Sequence, residues 1–280
     1  MEEQNSKNKK LNYLVSNQCF LKCHGCYNRF SKSDLKQGQI FDFFSYTRAN
    51  DVDKITLSGG DPLARPDILE IVDFLQRLDY KINLDTVGTT FIKDCEVKKH
   101  VLKKVDNIGA FKNLEMLGIP LDGSNNEIIS SFRHGREDIF GEQIKILSEL
   151  EKNDIGFCVN TVFHNKNKHD FFNIFNILKS FKNIKKWQVF QFMPIGAMGK
   201  LNANHFNVSN GDIDIIGKVL KEFKKDSHFD IVLKTAKERS FDYMFVGGDG
   251  EVYKTDINDS KKVFGDVKQK DTWQNIVNNL

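Results

Sequence analysis

Cysteine is scarce, five in 280 residues, and a chain of this length buries a core that needs no covalent staples. An excess of charge of one sign is lacking too. Lys and Arg number 41 against 38 Asp and Glu, a net +3, which gives no argument for a nucleic-acid polymer as partner. No apolar run approaches the roughly 20 residues of a membrane span. The opening MEEQNSKNKK is polar with no apolar stretch behind it, so neither signal peptide nor membrane anchor is expected. Internal repeats and low-complexity segments are absent. What is there is 40% apolar and 28% charged with both signs interspersed, the composition of a soluble globular protein. A cytoplasmic location is the expectation. In that reducing compartment clustered cysteines hold metal or do chemistry more often than they form disulfides.

Short apolar runs alternate with helical patterns. LNYLVS (11–16), KITLSG (54–59), KINLDTV (81–87), LEMLGIPLDG (114–123), GFCVNTVF (156–163) and WQVFQFM (187–193) read as six buried strands. Residues 66–78, 138–152 and 169–181 carry apolar residues at helical spacing, and Pro66 suits a first helical turn. Alternating strands and helices require parallel strands with right-handed crossovers, either an open doubly wound sheet or a partial or full barrel. After about residue 227 the pattern changes to short strands, with a hairpin expected around Asp249-Gly250. The division expected is a polar tail (1–10), an α/β core (11–226) and a C-terminal extension (227–280).

Three of the five cysteines fall within eight residues, in QCFLKCHGCYNRF (18–30). Cys19, Cys23 and Cys26 form a C-x3-C-x2-C pattern directly after the first strand. A structural zinc wants four ligands, commonly as two separated pairs. His24 is badly placed as a fourth, and Cys95 and Cys158 are distant in sequence. Three thiolates suit a [4Fe-4S] cluster with one iron left for another ligand, with zinc as the alternative. At the end of the second strand, LSGGDPLARPD brings paired glycines and a carboxylate to one turn. By itself that segment reads as an ordinary tight turn into a helix.

Taken together, Cys19, Cys23 and Cys26 with Tyr27 directly after, and Gly59-Gly60-Asp61-Pro62, resemble the radical S-adenosylmethionine (radical SAM) superfamily. The resemblance extends to about residue 225. It implies a partial (βα)6 barrel, here with a small C-terminal β-hairpin and helix extension, and its chemistry at the C-terminal ends of the strands. It implies one [4Fe-4S] cluster on the three cysteines and S-adenosylmethionine beside it. Tyr27 is then expected near the adenine, and Gly59, Gly60 and Asp61 near the methionine amino group. Thr86 stands where relatives have a polar turn near the cofactor. PLDG (120–123) followed by Arg133 matches a pattern in which a later arginine meets the cofactor carboxylate, although Arg133 also reads as a solvated helix-end cation. Asn160 matches a position near the ribose.

The expected chemistry is reductive cleavage of S-adenosylmethionine to methionine and a 5′-deoxyadenosyl radical, which takes hydrogen from a substrate C–H bond. A flavodoxin- or ferredoxin-like electron donor is implied. Strands 156–163 and 187–193 are expected to offer apolar walls that keep out water. Two substrate classes are weighed. VNTVFHNKN and KKWQVFQFMPIG resemble strands of viperin-like nucleotide dehydratases, with Lys54 at a phosphate-lysine position. Cys158 and Gln188 depart from that pattern, standing where those enzymes carry further lysines. The alternative is a peptide-modifying enzyme, because DYMFVGGDGEVYKTD (242–256) resembles the SPASM extensions of peptide maturases. That tail contains no cysteine, so it can hold no auxiliary cluster.

Overall fold

The computed structural model describes residues 9–31, 33–97 and 100–280; most of the expected polar tail lies outside them. Seven parallel strands form the frame: β1 (Lys9–Ser16), β2 (Val52–Gly59), β3 (Lys81–Asp85), β4 (Met116–Pro120), β5 (Phe157–Phe163), β6 (Ile184–Gln191) and β7 (Asp230–Lys234). A short β8 (Phe245–Val246) lies parallel to the other edge of β1. It is followed antiparallel by β9 (Glu251–Thr255) and β10 (Lys261–Asp266). The spatial order is β7-β6-β5-β4-β3-β2-β1-β8-β9-β10. No pairing joins β7 to β10 among the described residues, so the sheet is open. It curls nonetheless: Lys234 on β7 and Lys10 on β1, six strands apart in the order, reach the same Tyr243 ring. The result is a partial barrel.

The six strands read from the sequence are β1 to β6. Residues 230–234, assigned from the sequence to the extension, instead supply β7, which continues the parallel order beside β6. The hairpin at Asp249-Gly250 is present as the β8–β9 connection. Among the helices, α1 (Gln37–Ala49) and α5 (Asn210–Lys225) had no counterpart in the sequence reading. Helices α2 (Ile68–Arg77), α3 (Ile139–Lys152) and α4 (Phe171–Leu178) are the three expected ones, and α6 (Trp273–Asn278) follows β10. The apolar spacing explains them. In α2, Ile68, Ile71, Val72 and Leu75 are buried on one stripe. Pro66 precedes the helix rather than opening it, since α2 starts at Ile68.

Alternation along the strands sets up the site. One face (Leu11, Tyr13, Ile55, Leu57, Leu84, Ile119, Val159, Trp187, Val189) is buried in the core. Trp187 lies against Phe171 and Phe175 of α4, with ring centroids 5.6 and 6.4 Å away. The opposite face carries Lys10, Asn12, Thr56, Asn83, Asp85, Asn160 and Gln188, brought level by the strand register. The apolar walls expected from residues 156–163 and 187–193 are therefore corrected. Val159, Phe163, Trp187 and Val189 pack outward under the helices, and the lumen receives Asn160 and Gln188 together with Val162 and Phe190, which are in phase with them.

Candidate active site

The cysteine loop leaves the C-terminal end of β1 and is pinned to the turn that follows β2. Gly60 N donates to Ser16 O (2.7 Å) and Asp61 N to Gln18 O (2.6 Å). A β-carbon on Gly60 would overlap the Gln18 carbonyl, and Gly59 sits at φ +122°, a backbone that side chains rarely adopt. The paired glycines thus serve a backbone contact with the cysteine loop. On the other side, Asn17 ties the loop together: its Oδ1 accepts from Ser31 N (2.7 Å) and its Nδ2 donates to Ser31 Oγ (2.7 Å).

Asp61 is 1% exposed, and its carboxylate turns inward. Oδ1 accepts from Thr86 Oγ1 (2.6 Å) and Leu63 N (2.9 Å), and Oδ2 from Val87 N (2.6 Å). Thr86 Oγ1 in turn accepts from Gly88 N (3.0 Å). Burial pushes the Asp61 carboxyl up to about 6 despite these bonds. Asp61 and Thr86, read separately from the sequence, form one knot that joins the ends of β2 and β3.

Arg133 is brought to the second cysteine by a two-residue ladder in which Lys22 pairs with His134 and Cys23 with Arg133. Its Nε is ion-paired to Asp122, which is fully buried, and its Nη1 lies 3.8 Å from Cys23 Sγ. The other Asp122 oxygen accepts from Val162 N (2.7 Å). A solvated helix-end cation is not what Arg133 is; it is a held guanidinium at the rim of the cysteine loop. Behind it, buried His164 stacks on Phe132 with centroids 4.7 Å apart. Desolvation pushes that imidazole down to about 4.

Below the loop, Asn160 bridges the lumen. Its Nδ2 donates to Asp85 Oδ1 (2.8 Å), and its Oδ1 accepts from Gln188 Nε2 (3.0 Å). Gly118 makes room, since a β-carbon there would overlap Asp85 Oδ1. Cys158 shares this face, as the period of two requires, but is 0% exposed, with Gln188 Nε2 3.3 Å from its sulfur. Lys54 lies in the first half of β2, away from the cysteine loop, and is paired to Glu115 (2.6 Å). Tyr27 lines the mouth beside Phe245, with centroids 6.4 Å apart. Asp122 was expected only as the aspartate of PLDG, and Asp85, Lys10 and Lys234 were not singled out from the sequence. The one available signal was a polar residue at every second strand position.

Tested against a [4Fe-4S] group, the three cysteines fit. They lie on one loop, none is in a disulfide, and the charges of Cys23 and Cys26 push Cys19 up as that of Cys26 pushes Cys23 up. Burial pushes Cys23 up to about 11, with Arg133 opposing, and Cys19 and Cys26 upward as well. Such thiols become thiolates only where a cationic group is bound. Among the described residues no three His, Cys, Asp or Glu side chains form a group able to hold a single metal ion.

Comparison with known proteins agrees. The radical SAM superfamily profile matches residues 13–178. The chain is 25% identical over 213 residues to an AdoMet-dependent heme synthase of Methanosarcina barkeri, covering 75% of this chain and 56% of that protein. It is 27% identical over 146 residues to the subtilosin biosynthesis protein AlbA of Bacillus subtilis, covering 51% and 30%. A probable GTP 3′,8-cyclase of Methanococcus aeolicus is 24% identical over 243 residues, covering 84% and 73%. The chain thus spans about half, or less, of the length of the first two. In fold it resembles Streptococcus suis SuiB bound to S-adenosylmethionine, with TM-score 0.71 and 13% identity over 94% of this chain and 65% of that one. The chain belongs to the radical SAM superfamily, enzymes that use a [4Fe-4S] cluster and S-adenosylmethionine.

Proposed function

We propose that this enzyme abstracts hydrogen from a small polar substrate, a nucleotide, held in the barrel lumen. The observation that carries this reading is the polar bridge Asp85–Asn160–Gln188 beneath the cysteine loop, where an apolar substrate would find no complementary surface. Cys19, Cys23 and Cys26 would hold the cluster, which, with an electron from a flavodoxin- or ferredoxin-like donor, would supply reductive cleavage of S-adenosylmethionine to methionine and the 5′-deoxyadenosyl radical for hydrogen abstraction. The chain's own residues do the rest. Arg133, held by Asp122, offers a fixed cation to the cofactor carboxylate. The Asp61–Thr86 knot fixes the turn whose backbone faces the methionine end. Tyr27 gives the adenine an apolar ring, and Asp85 with Asn160 supplies acceptors and donors for sugar hydroxyls.

The likeness to GTP 3′,8-cyclases, whose name states a nucleotide substrate, supports the same class. The viperin-like form of the reading rests on Lys54, and the Glu115 carboxylate already neutralises that cation. A peptide substrate is the second reading, favoured by the SPASM-like extension and by the likeness to a bacteriocin biosynthesis protein. The test is 5′-deoxyadenosine release by anaerobically reconstituted, reduced protein, with nucleoside mono-, di- and triphosphates against candidate peptides. A nucleotide is expected to accelerate release several-fold, because substrate completes a water-excluding site. Acceleration by a peptide and by no nucleotide would overturn the reading.

A further inference from the structure

At the seam of the curled sheet, where β7 comes round towards β1, cations converge. Lys10 Nζ lies 5.3 Å and Lys234 Nζ 5.8 Å from the centroid of the Tyr243 ring, and Lys234 Nζ donates to Tyr243 Oη (3.4 Å). Lys234 also lies 5.7 Å from the Phe190 ring, which Arg239 covers at 5.4 Å. Arg239 is anchored through backbone carbonyls, Gln191 O and Thr235 O. Among the described residues none of these three cations has a salt bridge, although seventeen other pairs do form.

The carboxylates that face the group are Asp85, across the lumen and already bonded to Asn160, exposed Asp242, and Glu238, whose charge acts on Lys234 and Arg239 while its carboxylate accepts from Thr235 N and Oγ1. Burial and Lys234 together push the Lys10 ammonium below its ordinary value, the sign of a like-charge cluster short of counter-ions. On the same lumen face, Thr56 Oγ1 and Asn83 Oδ1, level in the β2–β3 register, are buried without partners. Crowded cations and unpartnered polar atoms on one wall each cost free energy. A bound polyanion removes the first cost and accepts from the Thr56 hydroxyl, whereas Asn83 Oδ1, an acceptor, is met by a donor such as a sugar hydroxyl.

We propose that Lys10 and Lys234, with Arg239 beside them, form a subsite for the di- or triphosphate chain of the substrate. This rests on the nucleotide reading and adds the end by which the nucleotide is held. It also moves the phosphate site from Lys54 to the seam between the first and seventh strands. Compact ammonium groups act as point charges and suit a phosphate chain, whereas a planar carboxylate is better matched by a guanidinium fork.

The experiment is calorimetric titration of sodium tripolyphosphate, and of tricarballylate as a carboxylate probe, into reconstituted protein. The proteins are wild type, Lys10→Gln, Lys234→Gln, the double variant, and Lys218→Gln as an exposed control on α5. Tripolyphosphate is expected to bind the wild type and Lys218→Gln alike, each single variant about tenfold more weakly, and the double variant not measurably. Equal binding by wild type and double variant would overturn the subsite, as would tricarballylate binding as tightly as tripolyphosphate. A melting temperature lower in Lys10→Gln or Lys234→Gln than in Lys218→Gln would assign these lysines to the fold and overturn it too. The two readings separate cleanly. Lysine-dependent tripolyphosphate binding without nucleotide-stimulated 5′-deoxyadenosine release keeps the subsite and sinks the nucleotide. Stimulation that is equal in wild type and double variant does the reverse.

Discussion

The cysteine-loop end of the barrel and the β1–β7 seam are built in opposite ways. At the loop end the buried carboxylates are satisfied: Asp61 accepts three hydrogen bonds, Asp122 holds Arg133, and Gly60 locks onto Gln18, although Gln18 Oε1, Asn28 Nδ2 and His164 Nε2 are buried without partners. At the seam Lys10 and Lys234 share one aromatic ring without a counter-ion among the described residues. A satisfied network is rigid and has one arrangement, which is what a cofactor of fixed shape requires. An unsatisfied one is completed by what it binds. On the proposal above, the difference separates the part of the site that holds the cofactor from the part that holds the substrate.

The largest effect expected is at the loop end. Cys19→Ala, Cys23→Ala or Cys26→Ala should each abolish the cluster, measured as iron, sulfide and visible absorption. Cys95→Ala should retain it, since that thiol sits on a side hairpin against Arg136. Cluster loss in Cys95→Ala would break the comparison.

Next, Asp61→Ala leaves the Thr86 hydroxyl and the Val87 and Leu63 amides without their acceptor, a loss on the order of 3 kcal/mol. Chemical denaturation should register that loss. Binding of S-adenosylmethionine should weaken at least tenfold while iron content holds. Unchanged affinity would detach the knot from the cofactor.

Acid should act on the same end. The folded His164 imidazole titrates at about 4, below the ordinary 6.5, so its stabilising contribution is complete above 6.5 and is lost as pH falls towards 4. About 3 kcal/mol is at stake. Denaturation of cluster-free protein between pH 7 and 4 should show a steeper loss for wild type than for His164→Gln, and equal slopes would remove His164 as the cause.

The smallest effect concerns the extension. Asp259 receives Arg29 from the cysteine loop and Lys200 (2.7 Å) from the segment after β6. Asp259→Ala should cost about 1–2 kcal/mol and speed cluster loss to a chelator several-fold. A cluster as durable as in wild type would reduce the clamp to a surface contact.

How much of this was legible follows the same division. The six strands announced themselves because each is an apolar run between turn residues, and the cysteines because their spacing has few other uses. Arg133 and Asp122 were visible as residues but not as a pair, since only the ladder between Cys23 and Arg133 brings them together. The paired glycines were expected near the methionine amino group; their backbone contact with the Gln18 carbonyl, which leaves Gly60 no space for a β-carbon, had no local signal. β7 was misassigned because DIVLK has the length and composition of any short strand, and only its pairing with β6 makes it part of the barrel. The seam lysines gave no signal at all. A lysine near a strand end is ordinary, and nothing local says that residues 10 and 234 meet.

The Arg29–Asp259 pair spans 230 positions of sequence, and β8 reaches β1 from a similar distance. During synthesis Arg29 is made 230 residues before the Asp259 that clamps it, so the clamp closes on the cysteine loop only after that later segment has been added.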